Sequence, residues 1–274
     1  MNLGAFVLLG LVQGVTEFLP VSSSGHLVIF RQLLGMDSPG LAVALAAHAG
    51  TLGAVLAEYG RDAVAVAGAF LAGLAAAPRR GDPGFRVAVA LLIASVPAAV
   101  AGFLVERRVE ALFEDAALAG AGLLVTGAVL YLAGTRIRPP AAMTRVDGMG
   151  AGKALFVGLA QALAIAPGVS RSGLTIAAGL ACGLRGDEAA RFSFLLSIPV
   201  TIGAVAVGVM DTWNGGALSG GPVLPALVVA LVSLVSGVTA IRYLVARLRR
   251  GGLTPFAYYC WALGAVVLLV ARGL

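Results

Sequence analysis

Apolar runs of roughly 15 to 25 residues follow one another along almost the whole chain, each near the ~20 residues that carry an α-helix through a ~30 Å hydrocarbon core. A helix satisfies its own backbone hydrogen bonds in lipid, where no water can do so. The pattern therefore commits the chain to an all-α membrane protein. Composition agrees: 59% of the 274 residues are hydrophobic and 12% are charged, about half the charge of a typical soluble domain. A soluble helical bundle would need polar faces that these runs lack.

Six runs are long enough to cross: 41–58, 87–105, 117–135, 192–210, 223–245 and 255–271. The run 63–77 covers only about 22 Å as a helix and is expected to form a separate interfacial helix. Two pairs of shorter runs, 3–19 with 24–34 and 154–166 with 173–184, are interrupted by Pro, Gly and Ser at membrane depth. Irregular backbone at that depth must line a polar cavity or be buried in protein. Each pair reads as a re-entrant helix hairpin.

With six crossings, fourteen of the nineteen Lys and Arg residues fall in loops 59–86, 136–153, 185–191 and 242–250. Arg31, Arg107, Arg108 and Arg272 fall on the opposite side, and Arg171 lies within the membrane. The positive-inside rule places the first group in the cytoplasm and both termini outside. Short basic loops also account for the net charge of +6 without a nucleic-acid partner. Met1–Leu11 lacks the basic start of a signal peptide. Cys182 and Cys260 sit in apolar runs and read as small buried hydrophobes.

Each half holds one hairpin and three spans, an odd number, so the halves must have opposite orientations. Aligning Val21 with Val169 superposes Gln13 on Gln161, Ser22 on Ser170, Ser24 on Ser172 and Gly25 on Gly173. Leu52-Gly53-Ala54-Val55 resembles Ile202-Gly203-Ala204-Val205 at nearly the same offset. The expectation is one polytopic membrane domain, 1–274, built as an inverted-topology repeat of about 1–138 and 150–274, whose hairpins meet near the midplane.

Charges inside apolar segments are expensive and mark function by default. Glu17 is the sole charge between Met1 and Phe30, and Arg171 the sole charge between Ala154 and Leu184. A purely structural ion pair would explain both, but not the polar residues around them. Gln13 and Glu17 are four apart and share a helix face. Ser22, Ser23 and Ser24 then precede His26, and one serine would suffice as an N-cap. In the second hairpin Ser170, Arg171, Ser172 and Thr175 surround a Pro-Gly break at a helix start. Free N–H groups favour an anion there, and a guanidinium adds bidentate contacts to phosphate oxygens. A phosphate cradle beside a carboxylate and an imidazole favours hydrolysis over transport.

Residues 13–26, QGVTEFLPVSSSGH, and 167–175, PGVSRSGLT, closely resemble the two signature motifs of the undecaprenyl-diphosphate phosphatases of the bacitracin-resistance type. His48-Ala-Gly-Thr51, Ser95-Val-Pro-Ala-Ala99, Gly158-Leu-Ala-Gln161 and 191–199 also look like family sequence, so the resemblance covers nearly the whole chain. It implies hydrolysis of undecaprenyl diphosphate to undecaprenyl phosphate and inorganic phosphate, which recycles the lipid carrier of peptidoglycan precursors and confers bacitracin resistance. It also implies a multi-pass protein of the bacterial inner membrane, with its active site facing outside, and a divalent cation, Mg2+ or Ca2+. Carried over by motif, Glu17, Ser23, His26 and Arg171 are the catalytic candidates. Ser22, Ser24, Ser170, Arg171, Ser172 and Thr175 are the candidates for binding phosphate. Glu17 and Gln13 are the metal candidates. The family has Glu or Gln at the position of Gln13, and an amide can ligate or orient but cannot act as a base.

Three schemes fit these residues: attack by His26 through a phosphohistidine, attack by Ser23 with His26 as base, or activation of water by Glu17. Ser24-Gly25-His26 also mimics part of the acid-phosphatase-like lipid phosphatase signature. That class needs a Lys/Arg-Pro motif and a second His followed by Asp, whereas His48 is followed by Ala49. A transporter is the other rival, since broken helices in inverted repeats are transporter architecture. Trp213, Tyr258, Tyr259 and Trp261 are expected as headgroup-level anchors, and Glu106, Glu110, Glu114 and Asp115 as a solvated loop. His48 suits packing and pocket roles equally. Abundant Gly and Ala suit close helix packing and leave room for a homodimer.

Overall fold

A computed structural model of the chain describes residues 3–33, 40–76, 80–105, 112, 115–135, 144–214, 223–250 and 252–271. Within them the regular structure is helical. In chain order the helices are α1 (Leu3–Phe18), α2 (Ser23–Leu33), α3 (Leu41–Ala75), α4 (Pro83–Val105), α5 (Ala116–Thr135), α6 (Ala151–Leu163), α7 (Arg171–Ala181), α8 (Gly186–Asn214), α9 (Val223–Arg249) and α10 (Thr254–Ala271). A short 3-10 turn covers Val146–Gly148, and Thr144 forms an isolated parallel bridge with Leu184.

Six of these helices, α3, α4, α5, α8, α9 and α10, are long and apolar enough to cross a bilayer. They coincide with the six spans expected from the sequence. The remaining four form two pairs, α1–α2 and α6–α7, of 16, 11, 13 and 11 residues. At 1.5 Å per residue the longest of them reaches about 24 Å, short of a bilayer core.

One expectation is corrected. The run 63–77 is not a separate helix, because α3 continues unbroken for 35 residues to Ala75, about 52 Å. No proline interrupts Glu58 to Asp62, and the charges there find partners without a break. Glu58 binds Arg242 at 2.7 Å, and Asp62 binds Arg191 at 2.5 Å. The end of α3 turns its Phe70 onto Phe85 of α4, ring centroids 5.8 Å apart.

Charged residues of the basic loops pair with one another. Arg191 also reaches Glu188 at 3.5 Å, Asp187 is approached by Arg185 and Arg249, and Glu188 accepts the Val146 N–H at 3.1 Å. Described parts of the four basic loops therefore meet. Arg79, Arg107, Arg108, Arg136, Arg138, Arg272, Glu106, Glu110 and Glu114 lie outside the described residues, as do the side chains of Arg31 and Trp213.

Small residues let α1, α3 and α9 approach closely. A Cβ on Gly14 would collide with the Ser236 side chain and the Ser233 carbonyl, and one on Gly50 with the Ala230 carbonyl. Ser233 Oγ, fully buried, donates to the Gly10 carbonyl at 3.1 Å. This tight seam fixes the rotation of α1, and with it the direction in which Gln13 and Glu17 point.

Candidate active site

The breaks of the two helix pairs lie against each other. In the second, Gly168 takes φ 78°, a left-handed conformation that favours glycine, and its Cα sits 3.3 Å from where a Cβ on Gly25 would stand. Thr126 of α5 pins this turn, donating to the Gly168 carbonyl at 3.1 Å and accepting the Ser170 N–H at 3.0 Å. The Gly168 N–H donates to Ser24 Oγ at 3.3 Å, and Ser172 Oγ donates to the Leu19 carbonyl at 3.2 Å. Ser170 caps α7, accepting from the Gly173 N–H at 3.0 Å, which leaves Arg171 as the first helical residue.

That placement turns Arg171 back toward α1. Its Nη2 lies 2.5 Å from Glu17 Oε1. The other carboxylate oxygen accepts from Ser23 Oγ at 2.7 Å and from Gln13 Nε2 at 3.1 Å. Gln13 Nε2 also lies 3.4 Å from His48 Nδ1 of α3. An amide nitrogen is a donor only, so His48 accepts through Nδ1. These groups line a cavity of about 360 Å³, together with Thr16, Ser24, Ser170 and Thr201. Its one carboxylate and one guanidinium are matched. A second anion in this space would compete with Glu17 for the five N–H donors of Arg171.

Of the residues singled out from the sequence, Gln13, Glu17, Ser23, Ser24, Ser170 and Arg171 are brought together on this wall. Ser22, His26, Ser172 and Thr175 are buried behind it. Ser22 Oγ accepts the Gly25 N–H, and Thr175 Oγ1 donates to the Arg171 carbonyl and shares a 2.6 Å hydrogen bond with Ser193. His26 points away, its Nδ1 2.7 Å from the Ser22 carbonyl and its Nε2 2.6 Å from Tyr259 Oη. The sequence left His48 undecided and gave Thr201 no weight; both face the cavity. Only the helix rotation of α3 and α8, which a chain pattern does not carry, reveals them.

A hard divalent cation fits this donor set in one mode. Among the described residues no three His, Cys, Asp or Glu side chains form a cage. Glu17 could be completed by water and by phosphate oxygens of a substrate, as Mg2+ sites in phosphoryl enzymes commonly are, and the Gln13 amide oxygen could join it once the amide, whose Nε2 faces Glu17, is turned over.

Two apolar grooves run along the bundle surface. One, of about 760 Å³, lies between α1 and α9 and is lined by Val7, Leu11, Val15, Leu19 and Tyr243 among others. The other, of about 610 Å³, lies among α5, α6 and α7, with Phe156, Leu159, Leu163 and Leu174 in its wall.

Residues 6–266 match the family described as bacitracin resistance protein BacA. An undecaprenyl-diphosphatase of Desulfatibacillum aliphaticivorans is 42% identical over 272 residues, covering 96% of both chains. One of Alcanivorax borkumensis is 41% identical over 265 residues, again 96% of each. One of Rubrobacter xylanophilus is 42% identical over 266 residues, 95% of each.

Proposed function

Because the chain belongs to the bacitracin resistance protein BacA family, whose members include undecaprenyl-diphosphatases, we propose that it hydrolyses undecaprenyl diphosphate to undecaprenyl phosphate and inorganic phosphate. In a bacterial inner membrane that reaction recycles the lipid carrier for peptidoglycan synthesis and gives bacitracin resistance. The observation that carries this reading is the convergence of Arg171, Glu17 and Ser23 on one cavity within an apolar helical protein.

The chemistry follows from that convergence. Arg171 and Ser170 hold the terminal phosphate, and Ser24 contributes a further hydroxyl. Ser23 Oγ attacks its phosphorus while Glu17, already accepting the Ser23 proton at 2.7 Å, takes that proton. The bond from this phosphorus to the bridging oxygen breaks, Glu17 passes the proton to that oxygen, and undecaprenyl phosphate leaves. Water then attacks the phosphoserine and gives a proton to Glu17, which returns it to Ser23 Oγ as the bond from phosphorus to Oγ breaks and phosphate departs. The guanidinium links the two roles. As phosphate oxygens draw Arg171 away, the Glu17 carboxylate is released from its ion pair and freed to take the Ser23 proton. Glu17 and Gln13 would hold the Mg2+ or Ca2+, which when bound supplies charge neutralisation on the diphosphate oxygens.

Further features support the finer architecture. The pairs α1–α2 and α6–α7 are too short to span, and their breaks touch, as two re-entrant hairpins meeting near the midplane would. Gly10 of α1 is approached by the Val229 carbonyl of α9, and its counterpart Gly158 of α6 by the Ala94 carbonyl of α4. Such reciprocal packing suits an inverted repeat of about 1–138 and 150–274. The basic loops face the cytoplasm by the positive-inside rule, which leaves the cavity to open outward. The prenyl tail suits the apolar grooves beside Val15 and Leu163, residues next to the cavity's Thr16 and Ala164. Release of phosphate from undecaprenyl diphosphate by the purified protein, abolished in Glu17→Gln and Ser23→Ala, tests the proposal. Transport of the lipid without phosphate release would overturn it.

A further inference from the structure

Tyr259 and His26 form a linked pair outside the cavity. The phenol oxygen lies 2.6 Å from His26 Nε2, and the two rings are nearly parallel, at 4°, with centroids 5.7 Å apart. On the other edge of the imidazole, Nδ1 lies 2.7 Å from the Ser22 carbonyl. A carbonyl only accepts, so Nδ1 carries a proton. A neutral ring then accepts at Nε2, and the phenol donates to it. Both nitrogens are engaged, and neither is turned to Ser23 or to the cavity. Tyr259 also stands apart from its neighbours Tyr258 and Trp261, which pack with Tyr131 as an aromatic cluster.

What the imidazole holds is an unusual turn. Ser22 has φ 66°, the only positive value at a non-glycine among the described residues. An L residue keeps that conformation only where its surroundings impose it. The Ser22 carbonyl accepts from the imidazole and, at 3.3 Å, from the His26 N–H, while Ser22 Oγ accepts the Gly25 N–H at 3.1 Å. The residue that follows this turn is Ser23.

We propose that Tyr259 and His26 are positioning residues: Tyr259 fixes the tautomer and orientation of His26, and His26 holds the left-handed Ser22 turn that presents Ser23 Oγ to Glu17. Neither touches phosphate. The proposal rests on the reading of Ser23 as nucleophile, because only then does the turn control turnover.

Steady-state phosphate release and phosphoenzyme trapping test it on the full-length protein. Asparagine places an amide N–H near the position of Nδ1, so His26→Asn keeps the bond to Ser22 but loses Tyr259. It is expected to retain kcat within about fivefold, whereas His26→Leu, with no donor, loses about a hundredfold in kcat at little-changed KM, the scale of an ångström's misplacement. Tyr259→Phe lowers kcat roughly three- to tenfold in the native background and adds nothing in His26→Asn, since its effect passes through His26. A folded His26→Asn protein as inactive as His26→Leu would mean that the ring itself does chemistry, and the proposal falls. It falls equally if the Tyr259→Phe and His26→Asn losses multiply. If His26→Leu does not fold, the other two variants and their combination still decide. Ser23→Ala, run alongside, separates the two readings: native turnover there removes the nucleophile, whereas the His26 and Tyr259 series reports on the positioning pair.

Discussion

Glu17 and Arg171, 154 residues apart in sequence, meet at 2.5 Å with side-chain exposures of only 11% and 22%. Glu17 is the lone charge between Met1 and Phe30, and Arg171 the lone charge between Ala154 and Leu184, so neither could be kept in such apolar surroundings without the other or a ligand. Since the pair stands at a cavity wall beside Ser23, the same two groups that satisfy one another can satisfy a phosphate and a proton.

Arg171→Lys keeps the charge and loses the planar fork. We expect kcat/KM to fall by about thirtyfold, close to 2 kcal/mol of transition-state stabilisation, read as phosphate release. Unchanged kcat/KM would make Arg171 a structural counter-ion to Glu17.

Ser23→Ala removes the hydroxyl that Glu17 accepts. Turnover is expected to drop by about a thousandfold or more, with loss of any trapped phosphoserine. Retention of a phosphoenzyme in this variant would move the nucleophile elsewhere.

Gly168→Ala tests the contact between the second break and α5. The left-handed φ and a Cβ aimed at the Ala119 carbonyl should together destabilise the fold by about 2–3 kcal/mol, read as a lower Tm in detergent. Gly203, mid-helix with nothing within 4 Å of a new Cβ, is the contrast. Gly203→Ala should leave Tm unchanged or slightly raised.

Gln13→Glu places a second carboxylate beside Glu17. A hard cation gains an anionic ligand, so the Mg2+ concentration giving half-maximal rate should fall by roughly tenfold. An unaltered cation titration would remove Gln13 from any metal shell.

Much of this was legible in the chain. The six spans follow from apolar length alone, and Glu17 and Arg171 stood out because charge is so costly in such segments. The unbroken α3 was not legible: Glu58, Arg61 and Asp62 look like a membrane boundary, and only Arg242 and Arg191, far along the sequence, show that Glu58 and Asp62 are neutralised on a continuing helix. The site divided for a similar reason. Ser23 and His26 are neighbours in the motif, yet the Ser22 turn sends one toward Glu17 and the other toward Tyr259. Arg171 and Ser172 are adjacent, but successive residues of a helix point about 100° apart, so Arg171 reaches the cavity while Ser172 bonds the Leu19 carbonyl. Tyr259 read only as a headgroup-level anchor, because its partner lies 233 residues away.

The most direct measurement is a structure of the protein in a lipid nanodisc with a methylene-bridged, unhydrolysable analogue of undecaprenyl diphosphate. The terminal phosphonate is predicted between the Arg171 guanidinium and Ser23 Oγ, within hydrogen-bonding distance of both and beside Glu17. A headgroup bound elsewhere, with Arg171 still closed on Glu17 and no phosphorus near Ser23, would contradict the account.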